Sequence, residues 1–298
     1  MPEGDTIFRT ARALGRALTT GAPGRVAQGG VIRQFVTTMA PLAQAEDERS
    51  FVGERLVRVE SRGKWVLMVF APVDAVEDEA AQRVVATHML MSGSWHIYRQ
   101  GEMWQKPREQ ARIVVATDAF VAAAFRVPIA KVYTWPQLRR ERKIPRVEED
   151  LLREEFDAEA AVKRLMARGD EAIGEALLNQ RVMAGVGNVF KSEVCFAERV
   201  NPFAKVSRLS GQQAQGLVKR SRQLLEANVM EDSGDRIVTY RGWQRRTTRS
   251  ADPSASLWVY GRGGEPCRRC AAAIERVLQG DGARVTYWCP VCQTRPEG

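Results

Sequence analysis

Four cysteines carry the sharpest chemical signal in this chain. Cys267 and Cys270 are two residues apart, as are Cys289 and Cys292, and eighteen residues separate the pairs. Two such knuckles offer four thiolates in a tetrahedron, the donor set of one structural Zn2+. With every coordination position filled by protein, that ion would be scaffold and would not activate water. Residues 274–279 and 283–288 flank Gly280-Asp281-Gly282, so a β-hairpin with Arg284 near its tip is expected. The fifth cysteine, Cys195, falls in a helical stretch and reads as a buried apolar residue.

The chain terminus is the second place where residue types suggest chemistry. Loss of Met1 before the small Pro2 leaves a free secondary amine. An α-amino group titrates near ~7.7–8.0 against ~10.4 for lysine, so far more of it is unprotonated at neutral pH. Such an amine can attack an electrophilic sugar carbon and form an iminium. Glu3 can act beside it as a general acid on the sugar oxygen. Taken alone, the commoner reading is a chance Pro after Met and an acidic first turn of a helix.

Three further signals are each ambiguous alone. In 179–188, Gly185 and Gly187 permit tight or left-handed turns and Asn188 can cap the next helix. The free N–H groups there suit a phosphate, although an ordinary helix–turn–helix corner explains the same pattern. Lys64 enters an apolar strand after Gly63 and is either a solvated strand end or a phosphate-holding, proton-moving lysine. Met91 lies in a run that usually means core, yet Ser92-Gly93 marks a turn from which a methionine can wedge into a base stack. His88 and His96 sit on strand-like runs and read as packing residues or incidental DNA contacts.

These residues need elements to hold them. A helix begins at Asp5 or Thr6, with Ile7, Ala11, Leu14 and Leu18 on one face. From 31 to 132 the texture is short β-type runs, interrupted by an acidic loop at 72–81. A charged connector with two prolines spans 135–146. Helical periodicity follows near 158–167, 173–179, 188–198 and after Ser210. The Gly-, Arg- and Cys-rich remainder is too short for its own core and needs a staple. The expected fold class is α+β: an N-terminal β-sandwich with a flanking helix (1–138), a helical domain (147–255) and a C-terminal β-hairpin zinc finger (256–298).

Composition narrows the partners. The net charge is +9, and from Lys205 onward sixteen basic residues face nine acidic ones. Five arginines and no acid occupy 236–249. A clustered surplus suits nucleic acid, and a solvated surface kept for solubility explains it equally well. No apolar stretch approaches the ~18 residues needed to cross a bilayer. The opening MPEGDT lacks the basic-then-apolar order of a signal peptide. A membrane or secreted protein is disfavoured on both counts.

Together the motifs resemble the formamidopyrimidine-DNA glycosylase and endonuclease VIII family over nearly the whole chain. The marks are Pro2-Glu3-Gly4-Asp5-Thr6, Arg62-Gly63-Lys64, Met91-Ser92-Gly93, the turn 180–188 and the four-cysteine finger with Arg284. The resemblance implies a bifunctional base-excision enzyme acting on damaged DNA, duplex or in single strands and bubbles. It implies Pro2 as nucleophile at C1′, Glu3 as acid, Lys64 supporting β-elimination and Arg284 δ-elimination. It also implies Asn188, in a helix–two-turn–helix motif, and Arg146 as DNA contacts, and Met91 as the filler of the gap left by a flipped base. A monomer in the cytoplasm, at the nucleoid, is expected. The opening is similar to the endonuclease VIII branch, and Ala124–Pro128 lacks the purine branch's Arg-Arg-Phe-Gly. Oxidised pyrimidines are therefore the favoured lesion. Leu90-Met91-Ser92 and Glu148-Glu149 depart from that branch's gap-filling triplet and Gly-Pro. An oxidised-purine glycosylase of the same family and a non-catalytic zinc-finger DNA-binding protein are the alternatives.

Overall fold

The computed structural model describes residues 2–19, 30–230, 247–248 and 256–294. The five arginines of 236–249 lie outside the described residues. Those described fall into two compact units. The first holds residue 2 and the described part of 6–144; the second holds 3–5 and the described residues from 145 on.

The first unit is built from α1 (Gly4–Thr19, from Thr6 on), β1 (Gln34–Thr37), α2 (Ala40–Glu48), β2 (Arg55–Arg62), β3 (Trp65–Ala71), β4 (Arg83–His88), β5 (Ser94–Arg99), β6 (Ala111–Ala116), β7 (Phe120–Phe125), β8 (Ile129–Tyr133) and α3 (Trp135–Arg140). Its strands form two four-stranded antiparallel sheets in the orders β1-β6-β7-β5 and β2-β3-β4-β8. All seven residues of β3 are buried, and period-two alternation sends them to opposite faces. Val66, Met68 and Phe70 join the main core with Phe35, Ile113 and Ala124 of the other sheet. Trp65, Leu67 and Val69 join a second cluster closed by Trp135 and Leu138 of α3. This explains why β3 reads as one unbroken apolar run. Ile7, Ala11, Leu14 and Leu18 of α1 are buried in the main core, as their spacing requires.

Three local expectations change. Ala40–Glu48, within the stretch expected to hold β-type runs, is helical, with a proline in its first turn where the missing N–H is no loss. The connector at 135–146 is partly helical, because Thr134 and Gln137 form a reciprocal capping box and a proline sits in the first turn, where its missing N–H is no loss. Lys64 is not a strand residue: Arg62 pairs with Trp65, leaving Gly63 and Lys64 as a two-residue hairpin turn with Gly63 at φ +57°.

The second unit comprises α4 (Ala158–Met166), α5 (Ile173–Leu178), α6 (Asn188–Ala197), α7 (Gly211–Met230), β9 (Glu275–Gln279) and β10 (Arg284–Trp288). The four helices share one apolar core, in which Leu177, Val186, Phe190, Val194 and Leu225 are buried. β9 and β10 form an antiparallel hairpin with Arg284 opposite Gln279, so Arg284 follows the turn directly. No described helix is long and apolar enough to cross a membrane.

Phe70 touches Phe51 edge-on at 4.9 Å between centroids and is fully buried. Phe70→Ala is expected to lower the unfolding free energy of the first unit by about 3–5 kcal/mol, read from urea melts.

Candidate active site and metal cluster

The first turn of a helix leaves backbone N–H groups without partners. In α6 those groups are met by Glu3, 184 positions from Gly187 in sequence and fully buried. Its Oε2 accepts from Gly187 N (3.1 Å) and Phe190 N (3.3 Å), and its Oε1 accepts from Val189 N (2.9 Å). A carboxylate at this end also meets the positive end of the helix dipole. The neighbouring backbone closes in further: Gly4 N donates to Gly185 O at 2.9 Å. A Cβ on Gly4 would lie 2.7 Å from Gly185 Cα, and one on Gly187 would lie 2.3 Å from Glu3 Cδ. The glycines of the turn thus differ in purpose. Gly185 has φ +110°, whereas Gly187 is extended and is small to admit Glu3. Gly187 occupies the cap position, and Asn188, expected there, is the first helical residue.

Asn188 is buried, and its Oδ1 has no hydrogen-bond partner among the described residues. Gln180 braces the turn by donating to Leu178 O and Val186 O and accepting from Gly185 N. Glu149, buried, accepts from Arg146 N at 2.8 Å and pairs with Arg181, while Glu149 O accepts from Ala184 N. The Glu148-Glu149 departure noted in the sequence therefore has a local structural function. The Arg146 side chain itself is exposed beside Glu148.

Three consecutive polar residues of α6, all buried, hold the cysteine-bearing segment. Lys191 Nζ donates to Thr286 Oγ1 (2.6 Å) and Val285 O (3.3 Å). Burial pushes its pKa down to about 8. Ser192 Oγ accepts from Tyr287 N. Glu193 accepts from the backbone of Trp258, Val259 and Tyr260 and from Thr247 Oγ1. Sequence reasoning passed over Lys191 and Glu193. The available signal was their position between apolar Val189, Phe190, Val194 and Phe196, which leaves α6 without a polar face.

The sulfurs of Cys267, Cys270, Cys289 and Cys292 all lie within 4.8 Å of one another. Contacts of 3.9 Å (Cys267–Cys292) and 3.4 Å (Cys270–Cys289) suit a tetrahedron with metal–sulfur bonds of about 2.3 Å. The N–H of Ala272 pulls the Cys270 thiol down to about 7, favouring the thiolate that a metal requires. Cys195 is fully buried in the helical core, and burial pushes its thiol up to about 12, as expected of an inert residue.

In the first unit, Pro2 is half-buried. Lys64 lies close enough to His88 that its charge, after burial, helps push the imidazole down to about 4. His88 Nδ1 accepts from Leu90 N at 3.1 Å and so supports the turn that follows β4. In that turn Met89 is core while Met91 is 68 % exposed. The second unit thus joins Glu3 and Asn188 at the start of α6 and ties Arg284 to the same helix through Lys191. Pro2, Lys64 and Met91 belong to the first unit.

Gly187→Ala is expected to displace Glu3 and cost about 1–3 kcal/mol in urea unfolding of the second unit. Lys191 also has a pH signature. Its folded pKa of about 8 lies below the ordinary 10.5, so between these values the unfolded chain holds a proton the folded chain has released. Stability should rise with pH across that window relative to Lys191→Met, as read from urea midpoints.

Comparison with known proteins agrees with this architecture. Residues 1–127 match the formamidopyrimidine-DNA glycosylase N-terminal domain, 147–239 the H2TH domain of the same proteins, and 264–295 a zinc finger found in FPG and IleRS. The chain is 36 % identical over 301 residues to a probable endonuclease 8 2 of Streptomyces coelicolor, covering 99 % of this chain and 95 % of that one. It is 34 % identical over 297 residues to the DNA-(apurinic or apyrimidinic site) lyase Nei2 of Mycolicibacterium smegmatis, covering 99 % of each. The fold matches Lactococcus lactis Fpg solved with oxidised-pyrimidine DNA, with a TM-score of 0.76 at 20 % identity over 99 % of this chain and all of that one. The chain belongs to the formamidopyrimidine-DNA glycosylase and endonuclease VIII family.

Proposed function

We propose that the protein is a bifunctional DNA glycosylase and abasic-site lyase that removes oxidised bases, oxidised pyrimidines foremost, and then cuts the strand. The observation that carries the reading is the buried clamp between Glu3 and α6. It holds Glu3, the residue next to the proposed nucleophile in sequence, at the start of the helix that also carries Asn188.

The chemistry follows from that placement. With Met1 removed, the Pro2 nitrogen is a secondary amine that is partly unprotonated at neutral pH. It attacks C1′ of the damaged nucleotide, the glycosidic C–N bond breaks and the base departs, leaving an iminium after the ribose ring opens. Glu3 supplies the proton to the ring oxygen. Removal of a C2′ proton expels the 3′ phosphate, the step Lys64 supports. A second elimination expels the 5′ phosphate, the step Arg284 supports. Asn188, through its Nδ2 donor, and Arg146, through its guanidinium, contact the phosphate backbone. Target C1′ is hidden in a stacked duplex, so the nucleotide must flip, and exposed Met91 fills the gap.

The four cysteines would hold one Zn2+, which supplies no chemistry and secures the hairpin bearing Arg284. The relatives' names support the endonuclease VIII branch, and the pyrimidine preference is supported by the opening Glu3-Gly4-Asp5-Thr6 and by Ala124–Pro128, which lacks the purine branch's Arg-Arg-Phe-Gly. Chromosomal DNA in the nucleoid is then the site of action.

Borohydride should trap a covalent adduct between the Met1-free chain and an abasic-site or thymine glycol duplex. The same chain should incise thymine glycol and dihydrouracil faster than 8-oxoguanine. Pro2→Gly should slow trapping by about tenfold or more, and a chain retaining Met1 should give none. Absence of any adduct with verified Met1-free protein would overturn the reading.

A further inference from the structure

Lys191 presents a physical problem that the proposed chemistry does not use. It is fully buried, and an unpaired buried ammonium is strongly disfavoured. Among the described residues no carboxylate pairs with it. Its bonds go to Thr286 Oγ1 and Val285 O, the two residues that directly follow Arg284 on β10. The ionisable groups around it are Cys195 on its own helix, Glu175 on α5, Glu3 and Arg284.

The bonds continue through the base of the hairpin. Thr286 Oγ1 donates to Gln279 Oε1 at 2.8 Å, and Gln279 Nε2 donates to Pro202 O at 2.8 Å. Gln279 is the residue paired with Arg284 across the hairpin. Both strands are therefore fastened at the level of Arg284, one to α6 through Lys191 and the other to the segment before α7. Arg284 itself is exposed at the end of its strand.

We propose that Lys191 is a positioning residue for Arg284: by gripping Val285 and Thr286 from inside α6, it fixes where the guanidinium stands and keeps a second positive charge behind it. This rests on the assignment of Arg284 to the second elimination step. An apolar or hydroxyl residue at 191 would leave Val285 O and Thr286 Oγ1 without that donor and let the strand end shift. Misplacement of about 1 Å at a reacting group can lower a rate by up to about 100-fold.

The test uses the full-length, zinc-loaded, Met1-free enzyme on an abasic-site duplex, resolving the β-elimination product from the δ-elimination product. Lys191→Met removes the donors while keeping an unbranched stem, and Thr286→Val removes only the hydroxyl. Both should lower the ratio of δ to β product by about tenfold or more. Zinc content and the yield of borohydride-trapped adduct should be unchanged, and Lys191→Arg should restore part of the ratio. A purely structural loss would lower trapping and zinc content together with the ratio, and would overturn the inference. So would an unchanged ratio in both variants while Arg284→Ala loses the δ product. If Arg284→Ala itself keeps the δ product, the assignment of Arg284 fails and the inference fails with it, while the Pro2 reading stands.

Discussion

The structure depends on one satisfied helix end. A helix start brings several N–H donors and a partial positive charge into one place, and burying it without an acceptor is costly. Here the acceptor comes from a residue 184 positions away in sequence, as the carboxylate of Glu3. The contact is selective in both directions. It requires an acid at the third position, and it requires a residue without a side chain at 187, because any Cβ there would occupy the space of the carboxylate. Gly4 and Gly185 extend the same constraint to the backbones on either side.

α6 is a buried helix that does polar work. Asn188, Lys191, Ser192 and Glu193 are all buried, and the last three find hydrogen-bond partners. Most of those partners are backbone groups of distant segments rather than opposite charges. Backbone partners have fixed positions, so such bonds define a register more sharply than a pair of flexible ions can. The backbone of segment 258–260 and strand β10 is fastened to this helix by those bonds. The apolar cluster beside the cysteines is correspondingly small, with Phe196, Val259 and Ile274 buried at its centre.

Much of this was legible in the residue order. Cysteine spacing is a local code, and the cluster formed where the code indicated. Apolar runs at period two gave the strands, and periodic spacing gave α1 and the later helices to within a residue or two. What escaped was non-local or lacked a pattern. Nothing around Glu3 names a partner 184 positions away, and nothing around Gly187 says that its smallness serves another segment. Lys191 and Glu193 drew no notice, because charged residues are almost never fully buried. Asn188 has the composition of a cap, but Gly187 took the position once Glu3 supplied the acceptor. The helix at Trp135–Arg140 was masked by its prolines, one of which falls where a first turn tolerates it.

The clamp on Glu3 has a topological consequence. None of the hydrogen bonds Glu3 accepts needs a free amine before it, so they would survive if a linker joined residue 298 to residue 1 and the chain were reopened at some exposed turn. Such a circular permutant would keep both sheets, the helix core and the four sulfurs, yet its second residue would be an internal amide with no lone pair to donate. Fold and reactivity are therefore separable here by connectivity alone, because the chemistry proposed for Pro2 needs a free amine and the clamp on Glu3 does not.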